Sequence, residues 1–210
     1  YYADDGRTLR TASTVKALRA GDGIDSSPSP AGHVGFFLWG HVPDPFTLFE
    51  GIRALPAGST LWVDRHGVGA PKAFFDVGQA LRDGAEAGRG TMPNLHDLIL
   101  DSVAHHFVSD VPVGIFLSAG IDSAVMTAYA SERDGAPLRT LTLGFDEFAG
   151  SEQDEAPLAE TVAARFGTIH QTRRVRRADF AGCADGLFAA MDQPTIDGVN
   201  VYFVARAAKE

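Results

Sequence analysis

The chain has 210 residues, a formal net charge of −9 and 45% hydrophobic residues. That length suits one or two domains with a sizeable core, and the acidic balance argues against a nucleic-acid-binding surface. Cys183 is the single cysteine, which rules out an intrachain disulfide and makes a reducing cytoplasm the expected compartment. The most apolar early stretch, residues 34–39, is far too short to span a bilayer, so neither a membrane segment nor a signal peptide is expected.

Residues 1–76 are rich in turns and prolines, with short β-like pieces at 9–12 and 60–63. Residues 77–93 are rich in Gly, Ala and charge, show little periodicity, and read as a linker or exposed loop. From there on helix and strand patterns alternate, and a second domain is expected over 94–210. Leu95, Leu98, Ile99, Val103 and Phe107 fall on one helical face. Residues 113–117 read as a strand, and Val125, Met126 and Tyr129 mark the buried side of the next helix. A second strand covers 138–144. The helix after it has Pro157 near its first turn, Leu158, Val162 and Phe166 inward, and Gly167 placed to end it. A third strand covers 168–175, followed by helical stretches at 178–191 and 199–210. Arg173, Arg174, Arg176 and Arg177, the one local basic cluster, read as a solvated strand end. Strands separated by helices predict an α/β domain with a doubly wound parallel sheet, which binds ligands at the carboxyl ends of its strands.

One such end carries the most informative residues. The strand at 113–117 runs into Ser118-Ala119-Gly120-Ile121-Asp122-Ser123, a small-residue turn that opens a helix. Backbone N–H groups in such a turn can face an anion, and the helix N-terminus adds partial positive charge. Ser118 and Ser123 supply hydroxyl donors. Asp122 would repel bare phosphate, so its presence calls for a divalent cation between them. Together these residues read as a nucleotide triphosphate site with Mg²⁺. A Walker loop is excluded, because no Gly-Lys-Ser/Thr follows. The alternative is an ordinary strand–turn–helix corner with a capping serine. His105 and His106, adjacent on a helix, point in different directions and are poor metal ligands as a pair. His170 is open between a catalytic histidine and one with a satisfied structural hydrogen bond. Cys183 reads as a small apolar residue of a packed helix.

The turn resembles the Ser-Gly-Gly-x-Asp-Ser loop of the ATP pyrophosphatases, with Ala119 in place of the first glycine. A methyl group there is tolerated if the residue keeps a negative φ. The likeness extends over nearly the whole chain, which resembles the glutamine-hydrolysing asparagine synthetases. Tyr1-Tyr2-Ala3 and residues 12–18 are similar to the end of that family's glutaminase domain, although Thr14 stands where the family usually has glutamate. Residues 42–52 and Leu55-Pro56-Ala57-Gly58 match its interdomain signature. Residues 109–114, Leu141-Thr142-Leu143-Gly144-Phe145, Asp154-Glu155, residues 166–170 and residues 192–200 then follow in the family's order.

The resemblance implies a β-rich partial class II glutaminase domain over 1–76 and the start of an adenine-nucleotide α-hydrolase-like synthetase domain from 94. ATP and Mg²⁺ would be held by Leu117, Ser118, Ala119, Gly120, Ile121, Asp122, Ser123, Leu143 and Gly144. Leu117 and Leu143 would meet adenine and ribose through their backbone, and Asp122 would carry the metal. Aspartate would be adenylated on its side-chain carboxylate, then amidated by ammonia released from glutamine. Thr195, Asp197 and Asn200 fall where the amino-acid substrate is expected. Asparagine makers carry a basic residue there, whereas Asp197 would repel a dianion. The acceptor therefore stays open between aspartate and another carboxylate, such as a sugar acid of surface polysaccharide. A non-catalytic nucleotide-binding module is the further alternative. The chain is expected to start inside a β-hairpin and stop inside a helix: the family's glutaminase uses an N-terminal cysteine, whereas residue 1 here is Tyr, and the family's second acidic loop would fall just beyond Glu210. A fragment of a longer polypeptide, inactive alone, is therefore expected. Its partners would be ATP, aspartate and glutamine, with a homodimer left open.

Overall fold

The computed structural model describes residues 1–87, 94–133, 135 and 137–210, which divide into two compact units. The first comprises residues 1–90 and 188–198, the second residues 91–187 and 199–210.

In the first unit β1 (Tyr2–Asp4) and β2 (Leu9–Thr11) form an antiparallel hairpin. Helix α1 (Val15–Arg19) follows, with Thr14 Oγ1 accepting from the Ala17 amide at 3.2 Å. That bond satisfies one of the amides that a helix start leaves orphaned. Helix α2 (Pro30–Trp39) begins after Ser29 with proline in its first turn and stops at Gly40, whose φ of 73° is the left-handed C-terminal geometry that glycine adopts freely. Ala3, Val15, Leu18 and Ile52 form a small core between these pieces.

Two short antiparallel ladders follow, β3 (Ser59–Thr60) with β6 (Lys72–Ala73) and β4 (Val63–Asp64) with β5 (Gly67–Val68). The single strand expected at 60–63 is thus two strands with different partners, and Leu61 and Trp62 belong to neither. The expected loop beginning at residue 77 is also corrected. Residues Val77–Glu86 form an exposed helix, α3, capped by Asp76 Oδ1 on the Gln79 amide at 2.6 Å. The aspartate cap and helix-favouring Gln, Ala, Leu and Arg outweigh two glycines. The remainder of the expected linker, 88–93, lies outside the described residues.

The stretch 188–198 is bonded to the N-terminal residues of this unit. The Asp192 carboxylate accepts from the amides of Val15 and Lys16 at 2.9 and 2.8 Å, and Gln193 Oε1 from that of Leu48 at 3.0 Å. Lys16 Nζ donates to the carbonyl of Ala189.

The second unit is built on a three-stranded parallel sheet in the order β7 (Gly114–Phe116), β8 (Arg139–Phe145), β9 (Ile169–Val175). The expected α/β organisation with a parallel sheet is present. Thr140, Leu141, Thr142 and Gly144 of the central strand are buried, as a strand paired on both sides and covered by helices requires. The helices are α4 (Leu95–His106), α5 (Ile121–Ser131), α6 (Ala156–Arg165), α7 (Arg177–Ala190) and α8 (Gly198–Lys209). All lie close to their expected positions, and Gly167 ends the α6 segment with a φ of 62°.

Their buried faces are narrower than the apolar pattern suggests. In α4 Val103 is buried and packs with Ile99 and Phe107 on Ile115, while Leu95 and Leu98 are exposed. In α5 the innermost residues are Thr127 and Ala130, and Met126 is exposed. In α6 Leu158 is exposed, and Ala156, Ala159 and Ala163 take the inward face. The helix meets β8 and β9 through these small side chains, and of the residues expected inward Val162 and Phe166 are half-buried, Val162 packing on Leu117, Ala159 and Ala163. Among the described residues, no helix is long and apolar enough to cross a membrane.

Candidate functional site

Strand β7 is exposed at Phe116 and buried at Ile115 and Leu117, the alternation of a strand with one packed face. Leu117 continues its ladder by one residue, its amide donating to the Leu141 carbonyl at 2.9 Å. The Leu117 carbonyl accepts from the buried Thr142 hydroxyl at 2.6 Å. The chain then leaves the sheet, and α5 begins at Ile121 after Gly120, whose φ of −73° and ψ of 150° are extended.

Hydroxyl bonds hold the turn. Ser123 Oγ lies 3.0 Å from Ser118 Oγ and accepts from the Ser118 amide at 3.1 Å. The Gly120 amide donates to Ser118 Oγ, also at 3.1 Å. Gly120 has an ordinary φ, so its backbone does not demand glycine; a Cβ there would meet only the rotatable Ser118 hydroxyl, at 3.1 Å. Ala119 has no positive φ, so its methyl group is accommodated where the resembling loop has glycine. Gly120, Ile121 and Asp122 are exposed, and no packed core covers the turn. Asp122 sits in the first turn of α5.

Beside the turn lies a cavity of about 380 Å³, lined among others by Leu117, Ser118, Leu143, Gly144, Asp154 and Asn200. Its walls are largely apolar, with Phe116, Phe145 and Phe148 contributing. Five of the expected site residues therefore meet here. Ala119, Gly120, Ile121, Asp122 and Ser123 adjoin the cavity through the turn but do not line it. Thr195 and Asp197 lie in the first unit and are not part of the lining. There Thr195 is half-buried and bridges to His41, and its hydroxyl accepts from the Asp197 amide at 3.3 Å.

An acidic pair completes the cavity rim. Asp154 and Glu155 both line it, just before α6. The Asp154 side chain is only 4% exposed and takes a two-pronged contact from Arg174, at 3.3 and 3.0 Å. That guanidinium, more than the Gly150 and Ala156 amides, holds the Asp154 carboxyl below the usual carboxylate range, and Asp154 raises Arg174 in turn. Glu155 Oε2 accepts from the Ala119 amide of the turn at 3.3 Å. The basic cluster is therefore not simply solvated. Arg174 pairs with Asp154, Arg176 with Asp179 at 3.0 Å, and Arg173 approaches Glu210 at 3.4 Å. Alternation along a strand hid this, since Arg174 points opposite to Arg173. The legible signal was a paired Asp-Glu placed at the start of a helix.

The other singled-out residues fall elsewhere. His170 is fixed on both ring nitrogens, 2.9 Å from Thr140 Oγ1 and 3.1 Å from Thr172 Oγ1, which is the structural alternative. His105 and His106 are exposed and bond back to the carbonyls of Asp101 and Ser102. Cys183 is half-buried rather than packed, because Leu187 takes the inward position of α7. Among the described residues, no group of three acidic, His or Cys side chains is placed to hold a metal ion.

The second unit is thus an α/β domain whose parallel sheet carries a serine-rich turn at one strand's carboxyl end, beside an apolar cavity, the place where sheets of this class bind their ligands. The asparagine synthase family model matches residues 94–210, and the chain belongs to that family. It is similar to asparagine synthetase [glutamine-hydrolyzing] 3 of Bacillus subtilis, with 27% identity over 95% of this chain and 34% of the relative. Asparagine synthetase [glutamine-hydrolyzing] 1 of the same organism is 30% identical over 80% of this chain and 26% of its own. A putative asparagine synthetase of Mycobacterium tuberculosis is 32% identical over 81% and 26%. The chain thus spans about a third or less of these curated relatives.

Proposed function

We propose that this chain supplies the nucleotide end of an ATP-dependent, glutamine-using asparagine synthetase. The observation that carries the reading is the Ser118–Ser123 turn at the end of β7, uncovered and beside the cavity that Leu117, Leu143 and Gly144 line. On this reading the second unit is the first part of a doubly wound ATP-pyrophosphatase-type domain, and the first unit is the end of a class II glutaminase domain. Adenine would lie against the apolar wall, and the pyrophosphate would take hydroxyl and amide donors from Ser118, Gly120 and Ser123. Mg²⁺ commonly keeps one or two carboxylates and otherwise binds substrate phosphates. The single exposed Asp122 suits such an ion and would neutralise charge as pyrophosphate leaves.

The aspartate side-chain carboxylate would attack the α-phosphorus of ATP, forming β-aspartyl-AMP and releasing pyrophosphate. Glutamine and water would give glutamate and ammonia, and ammonia would displace AMP to give asparagine. Positioning and charge neutralisation are the protein's main contributions to such transfers. ATP, aspartate and glutamine are the small-molecule partners, and a free Cys183 suits a reducing cytoplasm.

The test is aspartate-dependent exchange of labelled pyrophosphate into ATP, run on the protein expressed from its whole reading frame. Exchange requires adenylate formation, so it is expected with aspartate and lost by about a hundredfold or more in Asp122→Asn, the scale of removing a preorganised transition-state charge. Glutamine hydrolysis should persist in that variant. No exchange with aspartate, beside an active glutaminase, would defeat the assignment.

A further inference from the structure

Arg174 belongs to β9, and its partner Asp154 lies just ahead of α6. The Asp154 carboxylate is saturated: besides both guanidinium contacts it accepts from the Gly150 amide at 3.2 Å and the Ala156 amide at 3.3 Å. It therefore ties the loop, the first turn of α6 and the sheet edge at one point. The next residue, Glu155, reaches the Ala119 amide in the middle of the turn. Room for the guanidinium comes from β8. Gly144 is the direct register partner of Arg174, and a Cβ there would approach the guanidinium carbon and nitrogens to about 3.3 Å. That glycine has no positive φ, so what it provides is close approach.

We propose that Arg174 is a positioning residue which, through Asp154, sets Glu155 against the Ala119 amide and so fixes the Ser118–Ser123 turn in its nucleotide-ready geometry. The inference rests on the nucleotide reading of the turn for its consequence, and on the bonded chain from Gly144 to Ala119 for its mechanism. A guanidinium is needed because its planar fork meets both carboxylate oxygens at once, which an ammonium cannot do. The Arg174 guanidinium holds the Asp154 carboxyl below its ordinary range, as a pair charged on both sides does. Arg174 touches no nucleotide in this scheme; it acts only through the two acidic residues.

Two measurements on the same variants separate the mechanism from its consequence. The first is the Ala119 amide proton shift at a fixed neutral pH, which a bond to a charged acceptor moves downfield. Glu155→Gln is expected to move it upfield, which assigns the contact. Arg174→Gln and Asp154→Asn are expected to move it the same way, and Arg174→Lys less far. The second is the Kd for Mg·ATP, expected to weaken about tenfold in Arg174→Gln and Asp154→Asn, the scale of one hydrogen bond to a charged group. Urea midpoints measured beside it tell a general loss of stability from a local one, since a folded Arg174→Gln with weakened ATP binding is the expected case. An Ala119 shift unchanged in Arg174→Gln overturns the proposal, whatever happens to the Kd. An unchanged Kd with the upfield move present overturns it as well. If even the unaltered protein fails to bind Mg·ATP while Arg174→Gln moves the Ala119 shift, the positioning chain stands and the nucleotide reading falls.

Discussion

Hydroxyl groups settle much of the local geometry in this chain, and one group of them has a direct consequence for pH. Thr172 Oγ1 donates to Glu160 Oε1 at 2.7 Å, so it is free to accept from His170 Nε2–H. His170 Nδ1 lies 2.9 Å from Thr140 Oγ1, which lies 2.7 Å from Thr168 Oγ1 in turn. The ring is thus held at both nitrogens by threonine hydroxyls. Burial lowers its pKa from the ordinary value, with Glu160 opposing more weakly. A base whose pKa is lower when folded binds fewer protons in the native than in the unfolded state. Its contribution is therefore complete above the unfolded pKa of about 6.5 and is lost as pH falls through that value towards the folded one. The urea midpoint should accordingly decline as pH falls below about 6.5, and His170→Gln should flatten that decline. An unaltered slope in the variant would place the proton uptake on another group.

At the scale of elements the sequence was a good guide to where helices and strands fall and a poorer one to which side of each is buried. Helix α6 illustrates why. Leu158, Val162 and Phe166 follow a helical period and draw the eye, yet Ala156, Ala159 and Ala163 are the least exposed residues of that helix. Periodicity reports which residues are apolar, but how the helix sits on the sheet decides which of them are buried, and here Val162 shares the inward face with the alanines while Leu158 does not. The turn at 118–123 was legible because small residues and an acid after a strand restrict the chemistry directly. Arg174 was not, since its carboxylate partner lies 20 residues earlier. The close contact of α6 makes a definite expectation. Ala159→Leu should cost about 1–3 kcal/mol by overpacking against the sheet, whereas Leu158→Ala, at an exposed position, should change stability by less than about 0.5 kcal/mol. Chemical denaturation of both variants checks the pair, and equal effects would refute the inward assignment of the alanines.

At the scale of the whole chain, the units do not follow the order of the sequence. Residues 188–198 follow the third strand of the second unit, yet they belong with residues 1–90. No local pattern could reveal this, because the bonds of Asp192 to Val15 and Lys16 span 177 and 176 residues. The two oxygens of that carboxylate satisfy two of the orphan amides of a five-residue helix. A helix so short is marginal without outside support. Gln193 does the same for the Leu48 amide, and Ile196 donates its own amide to the Gly40 carbonyl at 2.9 Å. Asp192→Ala is therefore expected to leave the Val15 and Lys16 amides without their acceptors, raising their hydrogen-exchange rates by about tenfold or more, the scale of losing a bond to a charged group. The amides of Leu141 and Thr142, in the central strand of the other unit, should keep their protection. A chain ending at Leu187 should show the same acceleration and extend it to Leu48. Unchanged exchange at Val15 in both variants would mean that α1 holds itself together and that the long-range carboxylate is dispensable.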